Sequence, residues 1–430
     1  MTIPKKRDIS LRNQIIYSVY LRNHTPEGTM AALEGDLDRI KALGTDIVWL
    51  MPIHPIGQLN KKGELGCPYS IRDYRAVNPE YGTTEDFRHL VDAIHARGMR
   101  CIIDVVYNHT SHDSVLREEH PDYFFRKEDG SFGNRYGDWT DVIDLDYSNS
   151  ELWDYQIETL VQWAEIVDGF RCDVASCVPA AFWERAVEAV AQVRPDAIWL
   201  AETIYTAHVR FARECGYPIA TDADLYSCFD MEYPYDIQDY LERYADGTGR
   251  LSEYIAMLNY QEHVMPGDYN KIRFIENHDV PRAAHRFPDE DIRRNWLAFF
   301  YFQKGTTLLY GGQEWQNEEY CTLFDKAVFR RDPGKDISPL LIRLGEIKKT
   351  LLPADADFFA QASDDTGAVT AFLTRPDCRI AGIFCTKCKS CDVSIDVPDG
   401  EYVNEIDGRK FRIEKGHFKA DGQPVIFKVM

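Results

Sequence analysis

Long apolar runs are missing from these 430 residues. No stretch reaches the roughly 18 to 20 consecutive apolar positions that span a bilayer, and MTIPKKRDIS leads into LRNQIIYSVYLRNH rather than into a secretory leader's apolar core and cleavage site. The expectation is a cytoplasmic protein with no membrane partner. Positive charge is also short, with 49 Lys plus Arg against 70 Asp plus Glu and a net charge of −21. Such a surface repels phosphate backbones and anionic head groups, which sets nucleic acid aside. Cysteine is not scarce, but its 11 copies are odd in number and several sit inside apolar runs, as with Cys101 in MRCIIDVV and Cys172 in FRCDV. That pattern reads as reduced thiols rather than a disulfide framework. One cluster, Cys385, Cys388 and Cys391 with Cys378 nearby, has the number of thiols for tetrahedral zinc. Its spacing crosses what reads as a hairpin tip, Thr386 to Ser390, without a knuckle glycine or a second C-x-x-C, and its role stays open.

What is present is enough apolar side chain, 44%, for one large core and a satellite domain. Short β-branched runs alternate with amphipathic stretches: IIYSVYL, a helical pattern from Met30 to Leu43, DIVWLMPI, a helix from Glu85 to Arg97, then RCIIDVVY. The alternation resumes with helical Leu152 to Ile166, VDGFRCDV, a helix around Ala180 to Val193 and AIWLAETI, and later KIRFIENHD, a helix Ile292 to Phe302 and GTTLLYGG. Strand and helix in that rhythm predict parallel βα units. The spacing fits a (β/α)8 TIM barrel whose units take about 30 residues each, with the weak run YPIATDA as one further strand. Residues 109–147, rich in Gly, Asp, His and aromatics, form an insertion after the third strand, on the face where barrel sites are built. From residue 352 the pattern becomes short alternating strands, predicting a C-terminal antiparallel β-sandwich domain. The expected division is residues 1–108 and 148–351 for the barrel, 109–147 for the inserted domain and 352–430 for the β domain.

Three acidic residues stand at or just past predicted strand ends: Asp173 in DGFRCDV, Glu202 in IWLAETI and Asp279 in FIENHD. In a parallel barrel those positions converge on one mouth. Cleaving a glycosidic bond needs such a set, because one carboxyl donates a proton to the leaving oxygen while an ionised one meets the developing oxocarbenium carbon. Asp and Glu also end strands as helix N-caps. Arg171 argues for the catalytic alternative: two residues before Asp173, it shares that residue's face of an extended strand, where its guanidinium can hold the carboxylate ionised. His109 and His278 likewise fall at predicted strand tips.

DVVYNH at 104–109, DGFRCDVAS at 168–176, IWLAET ending at 203 and FIENHD at 274–279 resemble, in order, the four sequence regions of the α-amylase superfamily, glycoside hydrolase family 13. Supporting pieces also match: Pro52, Tyr69 in GCPYSIRDY, VIDLD at 142–146 and GGQEW at 311–315. The resemblance implies an intracellular amylase or maltodextrin hydrolase with Asp173 as nucleophile, Glu202 as acid and base, and Asp279 as transition-state stabiliser. It further implies that Arg171 orients the nucleophile, that Asp104, His109 and His278 shape the subsite of the cleaved sugar, and that Tyr69 is its stacking platform. No obligatory cofactor is implied. In secreted relatives the residues corresponding to Asn108 and Asp144 take part in a calcium site, whereas Ser176-Cys177 stands where those relatives carry Lys-His.

The expected activity is retaining hydrolysis of α-1,4-glucosidic bonds in maltooligosaccharides or starch and glycogen fragments. VIDLD points that way, while Val174 after the nucleophile points to α-1,6 bonds. A glucanotransferase would use the same residues. A non-catalytic amylase-like interaction protein fits poorly with three retained carboxylates, and oligomeric state is left open.

Overall fold

The structure, a computed structural model, describes residues 7–387 and 390–429. Eight parallel strands form one sheet: β1 (Ile15–Val19), β2 (Ile47–Leu50), β3 (Arg100–Val105), β6 (Gly169–Cys172), β7 (Ile198–Ala201), β8 (Met231–Glu232), β9 (Ile272–Arg273) and β10 (Thr306–Tyr310). Their order is β8-β7-β6-β3-β2-β1-β10-β9, so neighbours in space are neighbours in sequence. Between β3 and β6, β4 (His109–Ser111) and β5 (Val142–Asp144) pair antiparallel with each other inside the insertion. Every residue of β1, β2, β6, β7 and β10 is buried. That is why these strands read as near-continuous apolar runs: helices cover the outside and side chains fill the inside.

The sheet closes into a barrel where β8 meets β9. A single parallel bridge joins Glu232 to Lys271, and the Glu232 N–H donates to Asn270 O at 3.0 Å. The fully buried Lys271 ammonium lies 2.9 Å from Glu232 and 3.4 Å from Asp236 and also donates to Asp222. A carboxylate ties down the start of a strand at two points. Asp168, just before β6, accepts the Cys101 N–H of β3 at 2.7 Å, and Asp230, just before β8, accepts the Trp199 N–H of β7 at 2.9 Å.

The helices follow the apolar periodicity. Thr84–Ala96 starts at a capping box between Thr83 and Asp86 and buries Phe87, Leu90, Val91 and Ile94. Ser150–Ala164, Ala180–Val190 and Glu290–Phe302 likewise cover the barrel. The pattern from Met30 to Leu43 splits into Met30–Glu34 and Leu37–Ala42, broken at Gly35. YPIATDA is not a strand: Thr221 and Asp224 form a capping box that starts the helix Asp222–Leu225, and the barrel strand follows at Met231–Glu232.

After the helix Ser338–Thr350 come β11 (Asp357–Ser363), β12 (Ala368–Arg375), β13 (Cys378–Cys385), β14 (Cys391–Ser394), β15 (Gly400–Val403), β16 (Lys410–Ile413), β17 (His417–Ala420) and β18 (Val425–Lys428). They form a four-stranded sheet, β11-β12-β13-β18, and two strand pairs, β14-β17 and β15-β16. β13 pairs with β18 and β14 with β17, so the two strands flanking the expected hairpin tip, Thr386 to Ser390, do not pair with each other. Cys388 lies outside the described residues; Cys385 and Cys391 have sulfurs 3.9 Å apart. The β domain is keyed to the barrel helices: the Asn259 amide bonds both the N–H and the C=O of Ala360, at 2.9 and 2.8 Å. The Cys385 N–H donates to Asn295 Oδ1 at 2.7 Å.

Gly305, one residue before β10, has φ +131°, and a Cβ there would stand 2.1 Å from the carbonyl of Lys271, one residue before β9. Gly305→Ala strains the short β9–β10 pairing by about 1–3 kcal/mol; a thermal melt should show a lowered Tm, and an unchanged one would contradict this close approach.

Candidate active site

The barrel register delivers its carboxylates to one place. Asp173 follows β6 and donates its N–H to Val105 O, the last carbonyl of β3, at 2.9 Å; Glu202 follows β7 and does the same to Cys172 O at 3.0 Å. Each residue is the first beyond its strand and still held by its neighbour, so its side chain rises into the mouth. Asp279 arrives differently, on a turn after β9 in which Asn277 Oδ1 accepts the N–H groups of Asp279 and Val280 at 2.8 and 3.0 Å.

Arg171 is the centre of the arrangement. Its side chain has no solvent exposure. Nη1 donates to Asp104 at 2.9 Å and to Asp173 at 2.7 Å. Nη2 lies 3.0 Å from Glu202 Oε2, an ion pair by distance whose N–H directions are not aligned for a hydrogen bond. The Trp49, Tyr69 and Tyr233 rings surround the guanidinium at 5.3, 5.6 and 5.4 Å, sealing it from water. Burial pushes the Asp104 carboxyl up to about 7, the Arg171 charge opposing and the Asp173 charge adding to the rise. Glu202 is raised well above the ordinary Glu range, first by burial and then, against Arg171, by the charges of Asp173 and Asp279.

The remaining expected residues gather around this core. Tyr69 donates its hydroxyl proton to Asp104 at 3.0 Å, leaving its oxygen to accept from His278 Nε2 at 2.8 Å, and the two rings stack 5.4 Å apart. His278 Nε2 also lies 3.1 Å from Asp279, and burial lowers the imidazole so that it stays neutral near pH 7. His109 Nε2 stands 3.9 Å from Asp173. All eight residues proposed for catalysis and sugar binding therefore meet at one mouth, where a cavity of about 350 Å³ opens.

The structure also adds contacts that the sequence reading did not supply. Val174 adopts the left-handed region, φ 34°, which a β-branched residue rarely enters. This points its N–H at Glu202 Oε2, 2.7 Å away. Tyr235, whose hydroxyl is 3.5 Å from Asp279, follows β8, and Tyr205 stacks on it at 4.5 Å. Recognising EYPYD rather than YPIATDA as the strand end would have found it. Of the inserted-domain aromatics Tyr123, Phe124, Phe125, Tyr136 and Trp139, only Trp139 lines the cavity, 5.3 Å from the His109 ring.

Residues 10–332 match the alpha amylase catalytic domain family, and residues 359–427 match the bacterial alpha amylase C-terminal domain. The chain belongs to the alpha amylase catalytic domain family. It is 40% identical to an alpha-amylase from Lactobacillus plantarum, whose crystal structure superposes with a TM-score of 0.94 over 98% of this chain and 100% of that one. It is 31% identical, with a TM-score of 0.87 over 98% and 100%, to a noncanonic maltogenic alpha-amylase from Thermotoga neapolitana. It is also 28% identical over 307 residues, 67% of this chain and 48% of that protein, to an intracellular maltogenic amylase of Bacillus subtilis. The chain spans about half the length of the curated relatives it matches first.

Calcium, raised by the resemblance, does not fit the residues present. Asp144 Oδ2 accepts the Arg135 N–H and the Tyr217 hydroxyl, each at 2.8 Å, with the Arg135 guanidinium 3.3 Å away; Oδ1 is buried without a hydrogen-bond partner. Burial raises the Asp144 carboxyl, with the Arg135 N–H and the Tyr217 hydroxyl opposing the rise. The Asn108 amide nitrogen faces His109 Nδ1 at 3.2 Å. Calcium takes six to eight oxygens, whereas among the described residues no cluster of three or more His, Cys, Asp or Glu converges for a metal. A guanidinium already supplies the local positive charge. Accordingly, dialysis against EDTA should leave the Tm unchanged, while Arg135→Ala should lower it by uncovering the buried Asp144; an EDTA-dependent Tm would overturn this reading.

Proposed function

We propose that this enzyme hydrolyses α-1,4-glucosidic bonds of maltooligosaccharides with retention of anomeric configuration. The observation that carries the proposal is the shared guanidinium: Asp173 and Glu202 sit on the two terminal nitrogens of Arg171. Two carboxylates gathered on one guanidinium support the close pairing of a nucleophile and an acid, the arrangement of a retaining enzyme. Asp173, hydrogen-bonded to Arg171, is the carboxylate that attacks the anomeric carbon. Glu202, whose burial and acidic neighbours favour its protonated form, gives its proton to the departing oxygen and then takes one from water. Asp279, bridged to His278 and Tyr235, holds the ring hydroxyls as positive charge develops. The stacked Tyr69 and His278 rings offer an aromatic face to the sugar. Relatives named maltogenic and intracellular support short α-glucans met inside the cell as the substrate.

Asp173→Asn and Glu202→Gln should each lower kcat on maltoheptaose by about 10³-fold or more while keeping the wild-type Tm. On α-maltosyl fluoride, whose leaving group needs no proton, Glu202→Gln should recover glycosylation and Asp173→Asn should not. Equal recovery by both would overturn the roles. The rate should fall as pH rises through the raised Glu202 pKa, because the proton to be donated is then lost. That alkaline limb should lie above the ordinary Glu range and vanish in Glu202→Gln assayed with the fluoride. Proton NMR of the first products reads α-anomers if the configuration is retained. Activity confined to isomaltose and panose would instead mean α-1,6 bonds.

A further inference from the structure

One side of the cleft is walled by a continuous rim. The loop after β2 is fastened to the inserted domain: Gly57 packs so closely on Ser111 that a Cβ would come within 2.2 Å of it, and the Gln58 N–H donates to Asp113 at 3.0 Å. Further along, the Lys62 ammonium reaches across to Asp141 at 2.9 Å, a carboxylate whose side chain is only 6% exposed. The same loop is fastened to the loop after β10. Gly63, at φ +69°, lies against Phe324, the Leu65 N–H donates to Phe324 O at 3.0 Å, and the Glu64 N–H donates to Asp325 at 2.6 Å. Beneath both loops the buried Arg22, just past β1, donates to Gly66 O at 3.0 Å and Leu323 O at 3.4 Å and pairs with Glu80. Lys62, Asp141, Leu323 and Phe324 line the same cavity as Asp173 and Glu202.

The barrel's strand order gives this rim a direction. In the closed ring β2 and β10 flank β1, and β1 stands four places from β7 either way round. The rim therefore lies across the mouth from Glu202. The proton donor faces the leaving group, so the reducing-end part of the glucan lies on the Glu202 side. C1 and C4 are on opposite sides of a pyranose ring, so the chain beyond C4, toward the non-reducing end, runs at the rim. A cavity of about 350 Å³ is at the small end of ligand sites, roughly 300–1,000 Å³. It suits one or two sugar rings rather than a glucan passing through.

We propose that the Lys62–Asp141 ion pair, backed by Phe324, is a barrier that stops the non-reducing end of the substrate. The enzyme then works from chain ends, releasing short units of fixed length. This rests on the assignment of Glu202 as the acid on an α-1,4 substrate.

The experiment compares p-nitrophenyl maltoheptaoside with the same compound carrying a 4,6-O-ethylidene block on its non-reducing glucose, for the wild type, Lys62→Ala and Asp141→Asn. The expected result is that the wild type cleaves the free compound at least 100-fold faster than the blocked one. Its first products should be short and unlabelled, taken from the non-reducing end. In both variants the ratio should narrow at least five-fold, each variant keeping a cooperative melt. Similar wild-type rates on both compounds would overturn the barrier while leaving α-1,4 hydrolysis standing. A large wild-type ratio unchanged in both variants would overturn the assignment to this ion pair. If neither compound is cleaved while isomaltose is, the α-1,4 reading falls and the barrier with it.

Discussion

Everything at the mouth of this barrel depends on one buried cation. Arg171 sits where no water reaches it, and three carboxylates from three strand ends point at it. Without its charge, Asp104, Asp173 and Glu202 would repel one another in a desolvated space, at a cost of several kcal/mol for each uncompensated ion. With it, they are held near one another and still differ: Asp173 accepts a hydrogen bond from Nη1, whereas Glu202 lies beside Nη2 without one and accepts the Val174 N–H instead. An acid and a nucleophile from like groups require that difference of environment. The strained Val174 conformation is part of the same device, since only a left-handed turn directly after Asp173 aims that N–H at Glu202.

The barrel is legible in the sequence because both faces of a parallel strand are buried. Runs such as DIVWL and RCIID carry no polar alternation and can hardly be anything else. The failures occurred where that signal is thinnest. β8 is two residues long, too short to leave a run, and YPIATDA upstream is the more apolar stretch; β9, equally short, is marked only because KIRFIENHD extends past it.

The candidate site was legible in a different way. Asp173 and Glu202 each stand at a strand end and Asp279 on the turn that follows one, and these positions converge by topology, so three one-dimensional positions imply one three-dimensional place. Residues that reach the site from loops carry no such mark. Lys62 and Asp141 belong to segments without periodicity, and nothing in either segment announces that they meet. Asp144 reads as a metal ligand in isolation, because the partner that changes its meaning, Arg135, is fixed by the fold of the insertion rather than by spacing along a regular element.

The closure of the ring has a mechanical consequence. Most neighbouring barrel strands share three or four residue pairs, yet β8 and β9 meet through a single bridge, and what backs that bridge is a lysine ammonium among carboxylates. Charge attraction holds position over a longer distance than a backbone hydrogen bond, so the seam can stretch without being cut. The barrel behaves less like a rigid pipe than like a hoop with a clasp. The clasp lies between the strand that leads to Tyr235 and the strand that leads to Asp279. The contact between those two residues, 3.5 Å from hydroxyl to carboxylate, therefore rests on an ion cluster buried beneath the floor of the site.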